Sequence, residues 1–131
     1  MKGHARGFSL LEMMAVITLI LILANVSMPM FHSVMVRARE GVLRDDLFTL
    51  RAQIDRYTHD YGHGPESLDE LVEKEYLGAV PTDPFTGSNQ TWQIDTADAP
   101  LAVDASASPG IIDVHSGSND DSLEGTPYSS W

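Results

Sequence analysis

From Gly7 to Val36 the chain reads GFSLLEMMAVITLILILANVSMPMFHSVMV, in which Glu12 is the sole Asp, Glu, Lys or Arg. About twenty apolar residues cross the hydrocarbon of a bilayer as a helix, so this run predicts a membrane-spanning helix over 8–36. Lys2 and Arg6 lie just before it. The positive-inside tendency keeps that short end in the cytoplasm and puts everything after Arg37 on the far side. Glu12 is the anomaly. A charge inside a membrane helix costs roughly 3 kcal/mol on insertion scales and marks a functional position.

Beyond Arg37 the helical period persists and becomes amphipathic. Leu43, Leu47, Leu50, Ile54, Tyr57 and Tyr61 recur at alternating spacings of four and three, one stripe along a helix. Charges fill the other faces, and Glu40 with Arg44 and Arg51 with Asp55 stand at ion-pair spacing. The aromatics at this spacing (Phe31, Phe48, Tyr57 and Tyr61) read as core. Pro29 lacks an N–H and predicts a kink or loosening, and Gly41 allows a bend. The whole pattern gives one helix over 8–61, roughly 80 Å long at 1.5 Å per residue. Tyr61-Gly62-His63-Gly64-Pro65 ends it, with glycines for a left-handed stop and proline beyond.

The remaining residues, 62–131, predict a small head. Ser67 and Glu70 form a capping-box pattern ahead of a short helix over Leu68–Lys74. Tyr76–Phe85 is a proline-broken loop, and three β-like runs follow at Thr91–Asp95, Ala102–Asp104 and Ile111–His115. A small antiparallel sheet packed on the long helix is the economical arrangement, which makes the fold class α+β.

Charge sharpens the division. The chain has 131 residues and a net charge of −11, yet residues 1–56 carry seven basic against five acidic side chains. Residues 57–131 carry Lys74 alone against fourteen acids. So acidic a head repels nucleic acid, stays soluble, and attracts hard cations such as calcium. Without cysteine, the fold owes nothing to disulfides.

Two ordinary readings of the N-terminus compete. A secretory signal peptide would be cut near Ala24 or Ser27, but Glu12 interrupts its apolar centre and the helical pattern runs past the cut. A plain anchor would let Glu12 snorkel to the near interface. Neither accounts for Gly7-Phe8-Ser9-Leu10-Leu11-Glu12 at the border of the basic leader and the apolar run.

That hexapeptide resembles the processing motif of type IV prepilins and type II secretion pseudopilins. The resemblance implies a leader over 1–7, cleavage between Gly7 and Phe8 by a prepilin peptidase, and methylation of the new amino group of Phe8. It implies a role for Glu12 in assembly, as the carboxylate that meets the Phe8 amine of a neighbouring copy, and for Pro29 as the place where the helix loosens. Ser67-Leu68-Asp69-Glu70-Leu71-Val72, Tyr76-Leu77 and Val80-Pro81-Thr82-Asp83-Pro84-Phe85 resemble the body of the major pseudopilin of type II secretion. So does the ending, with Pro109-Gly110, Ile112-Asp113-Val114, Ser116-Gly117 and Trp131.

On this resemblance the chain is a pilin-like subunit anchored in the inner membrane with a periplasmic head, forming a homopolymeric pseudopilus. Its implied partners are the prepilin peptidase, an inner-membrane platform, an assembly ATPase and minor pseudopilins. The alternatives are a pilin of a surface fibre and a membrane-anchored periplasmic binding module that never polymerises.

The loop His115–Gly125 gathers Asn119 with Asp120, Asp121 and Glu124, and such a loop can offer calcium its oxygen ligands. The resembling family binds calcium here, although Pro127-Tyr128-Ser129-Ser130 stands where that family places an aspartate. His59 and His63 share a helical face but have no third ligand nearby in sequence. There is no Gly-rich phosphate loop and no Gly-x-Ser-x-Gly setting, so the chain is read as a non-enzyme.

Overall fold

The computed structural model describes residues 7–97 and 110–131. The chain divides into two compact units, one ending at Val36 and the other spanning Arg37–Trp131. Helix α1 (Leu10–Tyr61) belongs to both. In the first unit every described side chain up to Met35 is exposed. That is the surface of a helix built for lipid or for other apolar helices, since water gives such a face no means of burial. The helical assignment continues through Pro29 without a break, where a loosening was expected.

The second unit is an α+β head built on the far half of α1, the pilin-like arrangement. Leu43, Leu47, Leu50, Ile54 and Tyr57 are buried against Leu71, Trp92, Ile111, Val114 and Tyr128. Each such side chain contributes about 1.5–3 kcal/mol when fully buried. Of the four aromatics expected in the core only Tyr57 is buried; Phe31, in the apolar first unit, is 69 % exposed. Tyr61, at the end of the stripe, is 47 % exposed and Phe48, off the stripe, is 75 % exposed.

Gly62 ends α1 at φ +79, as its lack of a Cβ permits. The Ser67 hydroxyl then accepts the Glu70 N–H at 3.2 Å, opening helix α2 (Leu68–Glu73), which stops one residue short of the predicted Lys74. The capping box is only half formed. The Glu70 carboxylate turns to the N–H of Glu66 instead of Ser67, because its other oxygen is held by Tyr57. Neither helical ion pair predicted from spacing forms among the described residues: Arg51 pairs with Asp113 across the head, and Glu40 is drawn into the fold.

Strands β1 (Gln93–Thr96) and β2 (Ile111–His115) pair antiparallel. β1 starts two residues later than predicted. Trp92 turns inward instead, and its indole N–H donates to the Pro81 carbonyl at 2.8 Å. The predicted run Ala102–Asp104 lies outside the described residues. Asp113 faces Asp95, and Ile111 faces Thr96, so Ile112 is an extra, bulged residue. The bulge resets the alternation, which is how Ile111 and Val114 both reach the core while Ile112 stays exposed.

Candidate processing and assembly site

Gly7, Phe8 and Ser9 precede α1 in non-helical backbone. The helix opens when the Ser9 carbonyl accepts the N–H of Met13 at 3.1 Å. Phe8 is 72 % exposed, and a Cβ on Gly7 would meet nothing within 4 Å. A peptide bond that is non-helical, exposed and flanked by glycine is one a protease can reach. Glu12 lies in the first turn of α1, where the positive end of the helix dipole favours a carboxylate.

Farther along, four polar side chains of the apolar segment bond to their own helix. Thr18, Asn25 and Ser27 donate to the carbonyls of Met14, Leu21 and Leu23 at 2.7–2.9 Å, and Ser33 donates to Met30 at 3.0 Å. Such back-bonding hides each polar group from lipid. Pro29 supplies no N–H to the carbonyl of Asn25. Glu12 is the one Asp, Glu, Lys or Arg of this segment, and it is exposed.

The family model described as Prokaryotic N-terminal methylation motif matches residues 2–24. This is the signal of type IV pilin-like subunits. It covers Gly7, Phe8, Glu12 and the first turns of α1. No curated protein and no solved structure matches the chain. Among the described residues one helix, α1, is long and apolar enough to cross a membrane, and its first turns lie within this matched stretch.

The acids of the loop after β2 lie at the surface, with Asp120, Asp121 and Glu124 all exposed. Among the described residues no three His, Cys, Asp or Glu side chains gather in a way that could hold a metal ion, and that applies equally to His59 and His63. The His63 ring bonds to the adjacent Gly64 carbonyl at 2.9 Å, and His59 sits 3.6 Å from Asp60. Within the loop the carbonyls of Asp120, Ser122 and Thr126 accept the N–H groups of Tyr128, Gly125 and Ser122 at 2.8–3.0 Å.

Three charged residues that spacing alone did not reveal organise the head. Asp83 is fully buried in the Pro-Thr-Asp-Pro loop. It accepts from the Phe85 N–H at 2.8 Å, the Ser116 hydroxyl at 2.6 Å and the Gly117 N–H at 3.1 Å, joining that loop to the segment after β2. Arg51 binds Asp113 at 2.6 Å and donates to the main-chain oxygens of Val114 and Trp131 at 2.9 and 2.8 Å. Glu40, 3 % exposed, is the third. A shallow cleft of ≈ 360 Å³ between Arg44, Phe48, Arg51 and Trp131 brings no nucleophile to a base.

Proposed function

We propose that this chain is the major pseudopilin of a type II secretion system, a structural subunit that polymerises into a periplasmic pseudopilus and drives export of folded proteins. The observation that carries this reading is the methylation signal over residues 2–24, which runs into a helix whose apolar side chains up to Met35 are exposed among the described residues. The likeness of the 67–85 stretch to the major pseudopilin body favours secretion over a surface fibre. On this reading the prepilin peptidase cuts between Gly7 and Phe8 and methylates Phe8. The platform protein and the ATPase then extract copies from the inner membrane, and minor pseudopilins cap the growing fibre.

Glu12 gives the assembly its register. An unpaired carboxylate in lipid is costly, and the freed amine of Phe8 on a neighbouring copy offsets part of that cost. The attraction is strengthened by low dielectric, so the copy that docks with the right axial offset is preferred.

Mass spectrometry of the mature chain tests the processing step, and should show loss of Met1–Gly7 with a methylated Phe8. An intact N-terminus would end the pilin-like reading. Glu12→Ala should remain in the membrane yet form no filaments. Deletion of the chain should abolish export; export left intact with a surface fibre lost would instead identify a pilin.

A further inference from the structure

Glu40 stands three residues before Leu43, on the same buried stripe of α1. Its Oε1 accepts the main-chain N–H of Leu123 at 2.9 Å and the hydroxyl of Tyr128 at 3.0 Å. Leu123 lies in the tip of the acidic loop and Tyr128 on the chain that leaves it. A carboxylate on the helix therefore holds both the tip and the returning chain.

Further contacts hold the returning chain. The Tyr128 ring, 1 % exposed, stacks on Phe85 with centroids 3.8 Å apart and meets Trp131 edge-on at 5.2 Å. The Arg44 guanidinium lies 4.3 Å over the Trp131 ring, and the Trp131 indole N–H donates to the Thr126 hydroxyl at 3.0 Å. Ser122 and Thr126 close the tip through main-chain and side-chain bonds of 2.8–3.1 Å.

The polarity of this arrangement is decisive. A divalent cation closes a loop by drawing its oxygens inward. Here the loop points donors inward, a main-chain N–H and a phenol, and they meet an anion supplied by α1. Donors repel a cation and suit a carboxylate. The loop's own acids face outward, where they need no partner.

We infer that Glu40 is the anion around which the acidic loop folds, and that the loop closes on the head without a divalent cation. This inference stands apart from the secretion reading, since it concerns closure of the head whatever fibre the subunit builds.

The experiment uses the full chain in detergent micelles. Trp92 and Trp131, its only tryptophans, report head unfolding, and limited proteolysis reports loop opening. The wild-type melting temperature should be the same in EDTA and in millimolar calcium. Tyr128→Phe keeps the ring and removes one donor, and should lower the folding equilibrium constant roughly tenfold or more, as expected for a bond to a charged acceptor. Glu40→Gln should open the loop to protease. The double variant should lose less than the two single losses combined, because both remove one interaction. If Glu40→Ala fails to fold, the Tyr128→Phe and Glu40→Gln cycle still decides. A calcium-dependent rise in melting temperature that Asp120→Asn or Asp121→Asn removes would overturn the inference. Strictly additive effects of Tyr128→Phe and Glu40→Gln, with the loop still protected, would also overturn it.

Discussion

The Tyr57 hydroxyl donates to the Glu70 carboxylate at 2.6 Å, fastening the last turns of α1 to α2. The bond pushes the Tyr57 phenol up to about 12, with burial adding to it, and holds the Glu70 carboxyl below the usual range. Tyr57 also stacks on Tyr61 with ring centroids 4.4 Å apart and meets Tyr76 at 5.4 Å. Tyr57→Phe keeps those ring contacts and removes only the donor. It should cost about 1.5–3 kcal/mol, the range for a hydrogen bond to a charged group, read as a shift of the urea midpoint by tryptophan fluorescence.

Acid should weaken the head. Asp60 is lowered foremost by the Tyr76 hydroxyl, and Glu70 by that of Tyr57. Burial works to raise Asp113, but the Arg51 guanidinium and the Val114 N–H outweigh it and hold this carboxyl low as well. A carboxyl lowered by folding adds stability above its unfolded value, around pH 4, and surrenders it as pH falls through the folded one. The melting temperature should therefore drop as the pH is taken below about 4, and Asp113→Asn should flatten part of that slope. The tyrosines set the alkaline limit. Tyr57, Tyr76 and Tyr128 all rise to about 12, so their share of stability is whole below the unfolded value of about 10 and is lost as pH climbs through the folded one.

Asp46 works the other way. Burial, then Asp45 and Asp83, raise its carboxyl, so folding disfavours its charge. Asp46→Asn should make the head more stable at neutral pH, and the gain should vanish in acid, where the carboxyl is protonated in both states.

Glycines separate into two kinds. A Cβ on Gly110 would lie 2.2 Å from the Gly64 oxygen, and one on Gly64 would lie 2.2 Å from the oxygen of Ile111. This close crossing lets the Pro65 carbonyl take the Ile111 N–H at 2.8 Å. Gly110→Ala should destabilise by about 1–3 kcal/mol. Gly41 has open space around its missing Cβ, so Gly41→Ala should stabilise by about 1 kcal/mol through helix propensity alone. Thermal melts of the two variants should move in opposite directions.

Glu75 holds a left-handed φ of 64 at the end of α2. The Tyr76 and Glu75 N–H groups reach back to Leu71 and Val72 at 2.8 and 3.1 Å, a helix stop in which glycine is the usual residue. Glu75→Gly should stabilise the head by about 1 kcal/mol, the scale of the left-handed penalty, measured by urea unfolding.

Helices and buried apolar positions were legible in the chain because periodicity encodes them directly. The Leu43–Tyr57 stripe became the core, and Gly62 and Ser67 stopped and started helices where expected. Local ion-pair spacing misled, because Arg51 and Glu40 had tertiary partners with better geometry than a neighbour one turn away. Glu40 did leave a trace: it continues the four-and-three spacing of the stripe by one step, an acid where a leucine would fit. Its partners Leu123 and Tyr128, more than eighty residues on, left none. The start of β1 was misjudged because Trp92 looks like a strand residue until Pro81 is known to receive its indole. The methylation motif over residues 2–24 was readable from residue order alone, since it is a linear pattern.

The exposed side chains from Gly7 to Met35 carry a consequence for reversibility. Fatty acyl chains and a sister helix offer equally greasy company, so moving a copy from one to the other changes little apolar contact with water. Growth and shrinkage of a fibre built this way would be nearly balanced in that respect. If the chain polymerises as proposed, a modest polar preference at one acid then suffices to choose the direction of travel.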